Sequence, residues 1–392
     1  MLDLASVQAF MRQHRLDGWL LYDFRGNNAV FAQLLAGQRW TTRRVLLYVP
    51  ASGPARLLVH AIDAPQFAGL EIQRDTYLSW QDLLAWLTRI VPSAGRVAME
   101  YVPGGILPVV SIVDAGTVEL VRALGVEVVS SANLVQVCVA SWSPAAHQAH
   151  LQTSGRVTRI KDQAFDLIRQ RVGSGRPITE YDVQQHIASA FLDAGLEATE
   201  PPIVAVNAHS GDPHYEPTPQ NAAPIRPGDW VLIDLWARQP GDQHIYSDIT
   251  WVGFVGDQVP AKHREVFEIV RTARDRVVER AVEAWKAGQR LQGWQLDEVA
   301  RQVIIAAGYE RYIRHRTGHS LSPGPAVHGL GVNLDNLETH DTREVLAGIG
   351  FSVEPGIYLP EFGVRLEINV FVDPDRGPTV TSCVQEQVVT LA

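Results

Sequence analysis

The sequence predicts a two-domain protein, an α/β domain followed by a larger α+β domain. Three observations predict it. The chain has 392 residues, more than one ordinary domain needs. Up to residue 130, short apolar strands alternate with helical stretches, the pattern of a layered α/β unit. Beyond residue 143, long helices and apolar strand runs arrive in blocks, which is the α+β pattern. The boundary falls near 138–142, giving domains at 1–140 and 141–392.

In the first domain, residues 1–15 alternate apolar and polar side chains at helical spacing. Apolar runs at 18–22, 45–49 and 57–60 follow. A helix is expected at 80–91 and strands at 97–101 and 126–130, with an apolar stretch at 106–125 between them. The second domain opens on Ser143-Pro144, a capping serine with proline at the first helical position. A long helix at 144–172 stops at Gly173-Ser-Gly175, and a second starts after Thr179. Strands are expected at 203–207, 230–238 and 247–255, helices at 261–287 and 294–307, and strands at 351–358, 364–372 and 384–391.

Composition excludes several classes. A net charge of −9 disfavours a nucleic-acid partner. Cys138 and Cys383 are the two cysteines, too few for a disulfide framework or a thiolate zinc site, and they fit a reducing, cytoplasmic setting. No apolar run reaches bilayer-spanning length, so no membrane partner is expected. The start of the chain lacks a signal-peptide pattern. There is no His-Glu-x-x-His motif, Walker A loop or dinucleotide glycine fingerprint, and Ser320 fails the nucleophile-elbow pattern.

Four acids interrupt apolar strand runs, and they come in two pairs. Asp234 stands in Val-Leu-Ile-Asp-Leu-Trp-Ala and Asp248 in Tyr-Ser-Asp-Ile-Thr-Trp-Val. Glu354 stands in Phe-Ser-Val-Glu-Pro-Gly-Ile-Tyr and Glu367 in Gly-Val-Arg-Leu-Glu-Ile-Asn-Val. A carboxylate on a buried strand is costly unless a cation or hydrogen bonds compensate it. Each pair is spaced like the two arms of a hairpin, so two similar hairpins are expected to face one another across one cavity. Between the hairpins lie His315, His319 and His328, and upstream lies His214. Four carboxylates and an imidazole suit borderline divalent ions such as Mn, Co or Zn, with enough oxygens to bridge two ions. Arg365 and Thr250 each lie two residues from an acid and share its strand face. They are candidates to support a ligand carboxylate.

These motifs, in this order, resemble the prolidase, aminopeptidase P and methionine aminopeptidase superfamily over residues 143–392. The matching segments are Asp234-Leu-Trp-Ala-Arg with Ser247-Asp-Ile-Thr250, then Thr317-Gly-His319, Glu354-Pro-Gly-Ile-Tyr358 and Gly363-Val-Arg-Leu-Glu367. The resemblance implies a pita-bread fold for the second domain and, for the first, a creatinase-like cap that serves oligomerisation. It implies two divalent ions held by Asp234, Asp248, His319, Glu354 and Glu367. Glu354 would also act as general base, with His214, His315 and His328 lining the cleft and Arg365 beside the ligands. The implied protein is a homodimeric metallopeptidase cleaving Xaa-Pro bonds, most like a bacterial Xaa-Pro dipeptidase (prolidase). Alternatives are an Xaa-Pro aminopeptidase acting on longer peptides, a hydrolase of non-peptide amides and an inactive binding protein. A dipeptidase must recognise the carboxylate of proline, and Arg43 or Arg44 in an arginine-rich loop is the candidate for that task. The 239–246 turn and the His319–His328 segment, with Ser322-Pro-Gly-Pro325 inserted, are longer than the family pattern.

Overall fold

The computed structural model describes residues 3–35, 37 and 39–392. Met1 and Leu2 of the expected first helix, and Gln38 of the arginine-rich loop, lie outside the described residues. The chain divides into two compact units, Met1–Val139 and Ala140–Ala392.

In the first unit α1 (Leu4–Gln13), capped by the Asp3 side chain, leads into β1 (Gly18–Phe24) and α2 (Ala29–Leu34). Then follow β2 (Arg44–Pro50), β3 (Arg56–His60), β4 (Gln73–Tyr77), α3 (Trp80–Ile90) and β5 (Arg96–Met99). The unit ends with α4 (Ala115–Arg122), β6 (Glu127–Ser130) and α5 (Ala132–Val135). The strands form one mixed sheet in the order β4-β3-β2-β1-β5-β6. Its core packs Trp86, Leu87 and Val121 from the helices on Leu20, Leu46, Leu58 and Val97 from the strands. The sequence reading missed β4, because Gln73-Arg-Asp-Thr-Tyr77 is polar and sits at the edge of the sheet. It also ran the fifth strand two residues too far, and the apolar stretch at 106–125 resolves into turns and the eight-residue α4.

The second unit begins with α6 (Pro144–Gly173), with the Ser143 hydroxyl as its cap, and α7 (Glu180–Asp193), closed by a Thr179–Asp182 capping box. Next come β7 (Ile203–Val206), β8 (Trp230–Ala237) and β9 (Ser247–Phe254). The helices α8 (Ala261–Lys286) and α9 (Gly293–Ala306) follow. Then come β10 (Ser320–Leu321), β11 (Gly350–Val353), β12 (Gly356–Tyr358), β13 (Gly363–Arg365), β14 (Ile368–Asp373), β15 (Gly377–Val380) and β16 (Val389–Thr390). The strands make sheets β16-β9-β8-β7 and β10-β11-β14-β15 and the two-stranded pair β12-β13.

Strand alternation decides which way the acids face. Odd residues of β8, Val231, Ile233 and Leu235, pack against Ile160, Ile168 and Ile187 of α6 and α7. Even residues Trp230 and Leu232 pack instead with Val270, Val277 and Leu296 of α8 and α9 and with Phe351, Val364 and Val370. Asp234 continues the even series and therefore lies on that inner face. Trp236 pairs with Asp248 and Asp234 with Thr250 across the hairpin, so these four side chains share it.

The second acidic pair differs from expectation. The two long strands at 351–358 and 364–372 are each broken. Val353 pairs with Ile368 at the end of one ladder, and Gly356 pairs with Arg365 at the start of another. Glu354 and Glu367 sit in the breaks, outside any strand. Pro355 lacks the N–H that would continue the ladder, which ends β11 there. The expected strand at 384–391 shrinks to Val389–Thr390.

Candidate metal centre

Each side chain at the centre is placed by backbone bonds from a different element. The Glu354 N–H donates to the Thr317 carbonyl at 2.7 Å, and the Glu367 N–H to the Thr250 carbonyl at 3.2 Å. Asn369 holds the Asp248 peptide from both sides. Its Oδ1 accepts from the Asp248 N–H at 3.0 Å and its Nδ2 donates to the Asp248 carbonyl at 2.5 Å. His319 stands at the entry to β10. Its N–H donates to Ser352 Oγ at 2.9 Å, and that hydroxyl donates to Glu354 Oε1 at 3.0 Å. Gly318 is obligatory at this crossing, since a Cβ there would lie 2.1 Å from the Ser352 carbonyl oxygen. From α9, the buried Asp297 accepts the Thr317 N–H at 2.8 Å and steadies the histidine segment.

These contacts bring one ligand atom each of Asp248, His319 and Glu367 within 4.8 Å of one another. His319 Nε2 lies 3.4 Å from Asp248 Oδ2, 3.5 Å from Glu354 Oε1 and 3.9 Å from Glu367 Oε1. Burial, then the carboxylates of Asp234 and Glu354, push the Asp248 pKa well above its ordinary value. Burial and the charges of Asp248, Glu354 and Asp234 do the same to Glu367. Asp234 and Glu354 thus stand close enough to be felt electrostatically by both.

Burial pushes the His319 pKa down to about 3, so its imidazole is neutral. Its Nδ1 lies 3.1 Å from the Ser320 carbonyl, which can only accept. The ring proton is therefore on Nδ1, and the Nε2 lone pair faces three carboxylates. Asp234 Oδ1, Asp248 Oδ1 and Glu367 Oε1 are buried with no hydrogen-bond partner among the described residues. A lone pair and unpartnered carboxylate oxygens converging on one volume repel one another unless cations lie between them. The donor set, carboxylates with one imidazole, is that of a borderline divalent ion.

Arg365 is the guanidinium in contact with this cluster. Its Nη2 donates to Asp234 Oδ2 at 2.5 Å, its Nε to Thr250 Oγ1 at 3.0 Å and its Nη1 to the Tyr358 hydroxyl at 2.9 Å. Thr250 passes the bond on, donating to Glu367 Oε2 at 2.9 Å. Arg365 and Thr250 thus fix the outward oxygens of Asp234 and Glu367 and leave the inward ones open.

The histidines divide. The His328 ring lies 4.1 Å from that of His319, exposed to solvent, and the His319 ring beside it holds its pKa down. His214 is exposed and near enough to His328 for their charges to oppose. Both ring nitrogens of His315 are engaged, Nδ1 donating to the Arg316 carbonyl at 2.7 Å and Nε2 accepting from the Tyr358 hydroxyl at 2.6 Å. His315 therefore orients Tyr358, which in turn receives Arg365.

Arg43 and Arg44 lie in the first unit. The Arg43 N–H donates to Asp63 Oδ2 and its guanidinium to Thr42 Oγ1, while Arg44 opens β2 half-buried. Sequence reasoning passed over Tyr358, Ser352, Asn369 and Asp297. The signal for Ser352 was present, as it lies two residues before Glu354.

The pattern that defines Metallopeptidase family M24 matches residues 154–374, and the chain belongs to that family. Among curated proteins, it is 32% identical over 218 residues to the Xaa-Pro dipeptidase of Lactobacillus helveticus, covering 55% of this chain and 53% of that one. It is also 32% identical over 232 residues to the probable dipeptidase PepE of Mycobacterium tuberculosis, covering 58% and 56%. The matched stretch spans about half the length of these curated relatives. The fold is shared with a solved dipeptidase structure. The structure of PepE from Mycobacterium ulcerans superposes with a TM-score of 0.72 over 99% of this chain and 96% of that chain, at 22% identity. No helix among the described residues is long and apolar enough to cross a membrane.

Proposed function

We propose that this chain is a dinuclear-metal Xaa-Pro dipeptidase. The observation that carries the reading is the convergence of Asp248, His319 and Glu367, with Asp234 and Glu354 beside them, on a volume lined by unpartnered buried oxygens. The names of the curated relatives support the substrate class. Asp234, Asp248, His319, Glu354 and Glu367 would hold two divalent ions, Mn, Co or Zn. When bound, the ions supply Lewis-acid polarisation of the scissile carbonyl and a water of lowered pKa.

The chain's own groups do the rest. Ser352 occupies Glu354 Oε1, which leaves Oε2 to take the proton of the attacking water and return it to the departing proline nitrogen. His328 is neutral beside His319, so its ring N–H can donate to the oxygen that becomes negative in the tetrahedral intermediate. His214 lines the same side. Arg365 neutralises Asp234 without touching substrate. Arg43 or Arg44 recognising the proline carboxylate is part of the proposal. Arg43→Ala and Arg44→Ala should then lower the preference for dipeptides over tripeptides. A homodimer follows from the family resemblance, and a reducing cytoplasm from the two free cysteines.

The test is to chelate the protein, reload it with Mn, Co or Zn, and compare hydrolysis of Ala-Pro, Ala-Pro-Ala and Ala-Ala. Metal-restored cleavage confined to Ala-Pro supports the reading. Preference for the tripeptide makes it an aminopeptidase, and cleavage of none of the three overturns Xaa-Pro hydrolysis.

A further inference from the structure

The turn between β8 and β9 and the loop after β10 are fastened to one another. Arg238, just past the end of β8, is 3% exposed. Its Nε donates to Glu197 Oε1 at 2.9 Å and its Nη2 to Asp242 Oδ1 at 2.9 Å. Its Nη1 donates to the Gly324 carbonyl. The guanidinium carbon sits 4.8 Å over the Tyr246 ring. The Gly324 N–H returns a bond to the Asp242 carbonyl at 2.8 Å, so the two segments exchange bonds in both directions. The backbones of Arg238 and Glu197 also exchange two bonds, at 3.0 and 2.9 Å.

The loop so held is the one that carries His328. Its base is closed by the Gly329 N–H on the Ser320 carbonyl at 2.7 Å and by the Leu330 N–H on Ser322 Oγ at 3.1 Å. Val327 packs on the cluster of Trp142, Trp236 and Tyr246, while Pro325 and Ala326 are exposed. The tip of the loop is fixed through Gly324 and the base through Ser320, with His328 between them.

We propose that Arg238 is a positioning residue. By clasping the loop tip to the β8–β9 turn it holds His328 at its station beside His319. A planar guanidinium can serve three partners in one plane, and a lysine ammonium at the same place cannot. The effect on catalysis rests on the dipeptidase reading, whereas the clasp stands independently of it.

The experiment uses the Mn-loaded full chain and the variants Arg238→Lys, Asp242→Asn, His328→Ala and Arg238→Lys/His328→Ala. Hydrogen exchange over residues 320–331, read by mass spectrometry, reports the clasp without any assay of activity. Arg238→Lys should speed exchange at the Gly324 amide by about tenfold, with metal content unchanged. Asp242→Asn, at an exposed partner, should speed it less, and it keeps the test open if Arg238→Lys fails to fold. On Ala-Pro, Arg238→Lys should lower kcat by about tenfold with KM little changed, as expected when a catalytic group is displaced by a fraction of an ångström. The double variant should be no slower than His328→Ala alone, because the two changes act through one group. Unchanged exchange at Gly324 in both Arg238→Lys and Asp242→Asn overturns the clasp. Faster exchange with fully additive losses overturns its action through His328. If the unaltered protein cleaves none of the peptides, the dipeptidase reading fails, and the exchange result alone decides the clasp.

Discussion

Replacing Arg365 by methionine removes the cation from the acidic cluster while keeping a stem of similar length. In the metal-free protein the change strips Asp234 Oδ2 of its 2.5 Å partner, and Asp234 Oδ1 already has none. Thr250 Oγ1 loses the guanidinium it accepts from, and so does the Tyr358 hydroxyl. Breaking one side of a buried ion pair costs about 3–5 kcal/mol. At about 2–4 °C per kcal/mol for a unit of this size, the chelated second unit should melt roughly 6–20 °C lower at pH 8. At pH 5 the loss should be smaller. Burial has raised the pKa values of Asp248 and Glu367, so as the pH falls they take up protons ahead of ordinary carboxyls and need a cation nearby less. Saturating Mn should recover part of the loss, since ions then supply the missing charge. The assay is scanning calorimetry of wild type, Arg365→Met and Arg365→Lys at both pH values, chelated and loaded. A melting temperature within roughly 2 °C of wild type at pH 8, or a larger loss at pH 5, would refute the reasoning.

Three further outcomes are expected. Because Asp248 and Glu367 have pKa values raised above 3.8 and 4.5, the folded chelated protein binds more protons than the unfolded one. Its stability should therefore fall as pH rises from about 4 through the raised folded values. Mn should abolish that fall and release protons on binding, measurable by titration in weak buffer. Glu354→Gln keeps the size of the side chain and removes its basicity, so kcat on Ala-Pro should drop by about 10²–10⁴ with little change in melting temperature. Gly318→Ala drives a Cβ to 2.1 Å from the Ser352 carbonyl. It should cost about 1–3 kcal/mol and lower bound metal by elemental analysis, because the segment carrying His319 must shift.

Asp234 and Asp248 were legible because the apolar runs around them are long and regular, so alternation alone sets their common face. Thr250 was legible for the same reason, two residues from Asp248 on one strand, whereas Arg365 ends β13 and reaches Asp234. Alternation failed at Glu354 and Glu367. Both long runs look continuous in sequence, yet each changes partner at the glutamate, and no local periodicity records a change of partner. Tyr358, Asn369 and Asp297 act on the centre through contacts with residues far away in the chain, the Asp297–Thr317 bond joining α9 to the histidine segment. Arg238 was equally hidden, since its partners Glu197 and Gly324 lie 41 and 86 residues away. The two segments it joins are legible as a turn and a loop, but their mutual attachment is not.

The scatter of the five proposed donors along the chain has a consequence for lifetime. Each acidic pair belongs to a hairpin that closes locally, but His319 must meet Asp248 across 71 residues and Glu367 across 48. Bringing such distant segments together costs chain entropy before any contact rewards it. The complete centre is therefore expected to form late, after the folding barrier has been crossed. An ion that recognises only the complete centre leaves the rate of refolding nearly unchanged and lowers the rate of unfolding. Metal would then act on this chain as a lock applied after folding, and chelation should shorten the life of the native state without slowing its return.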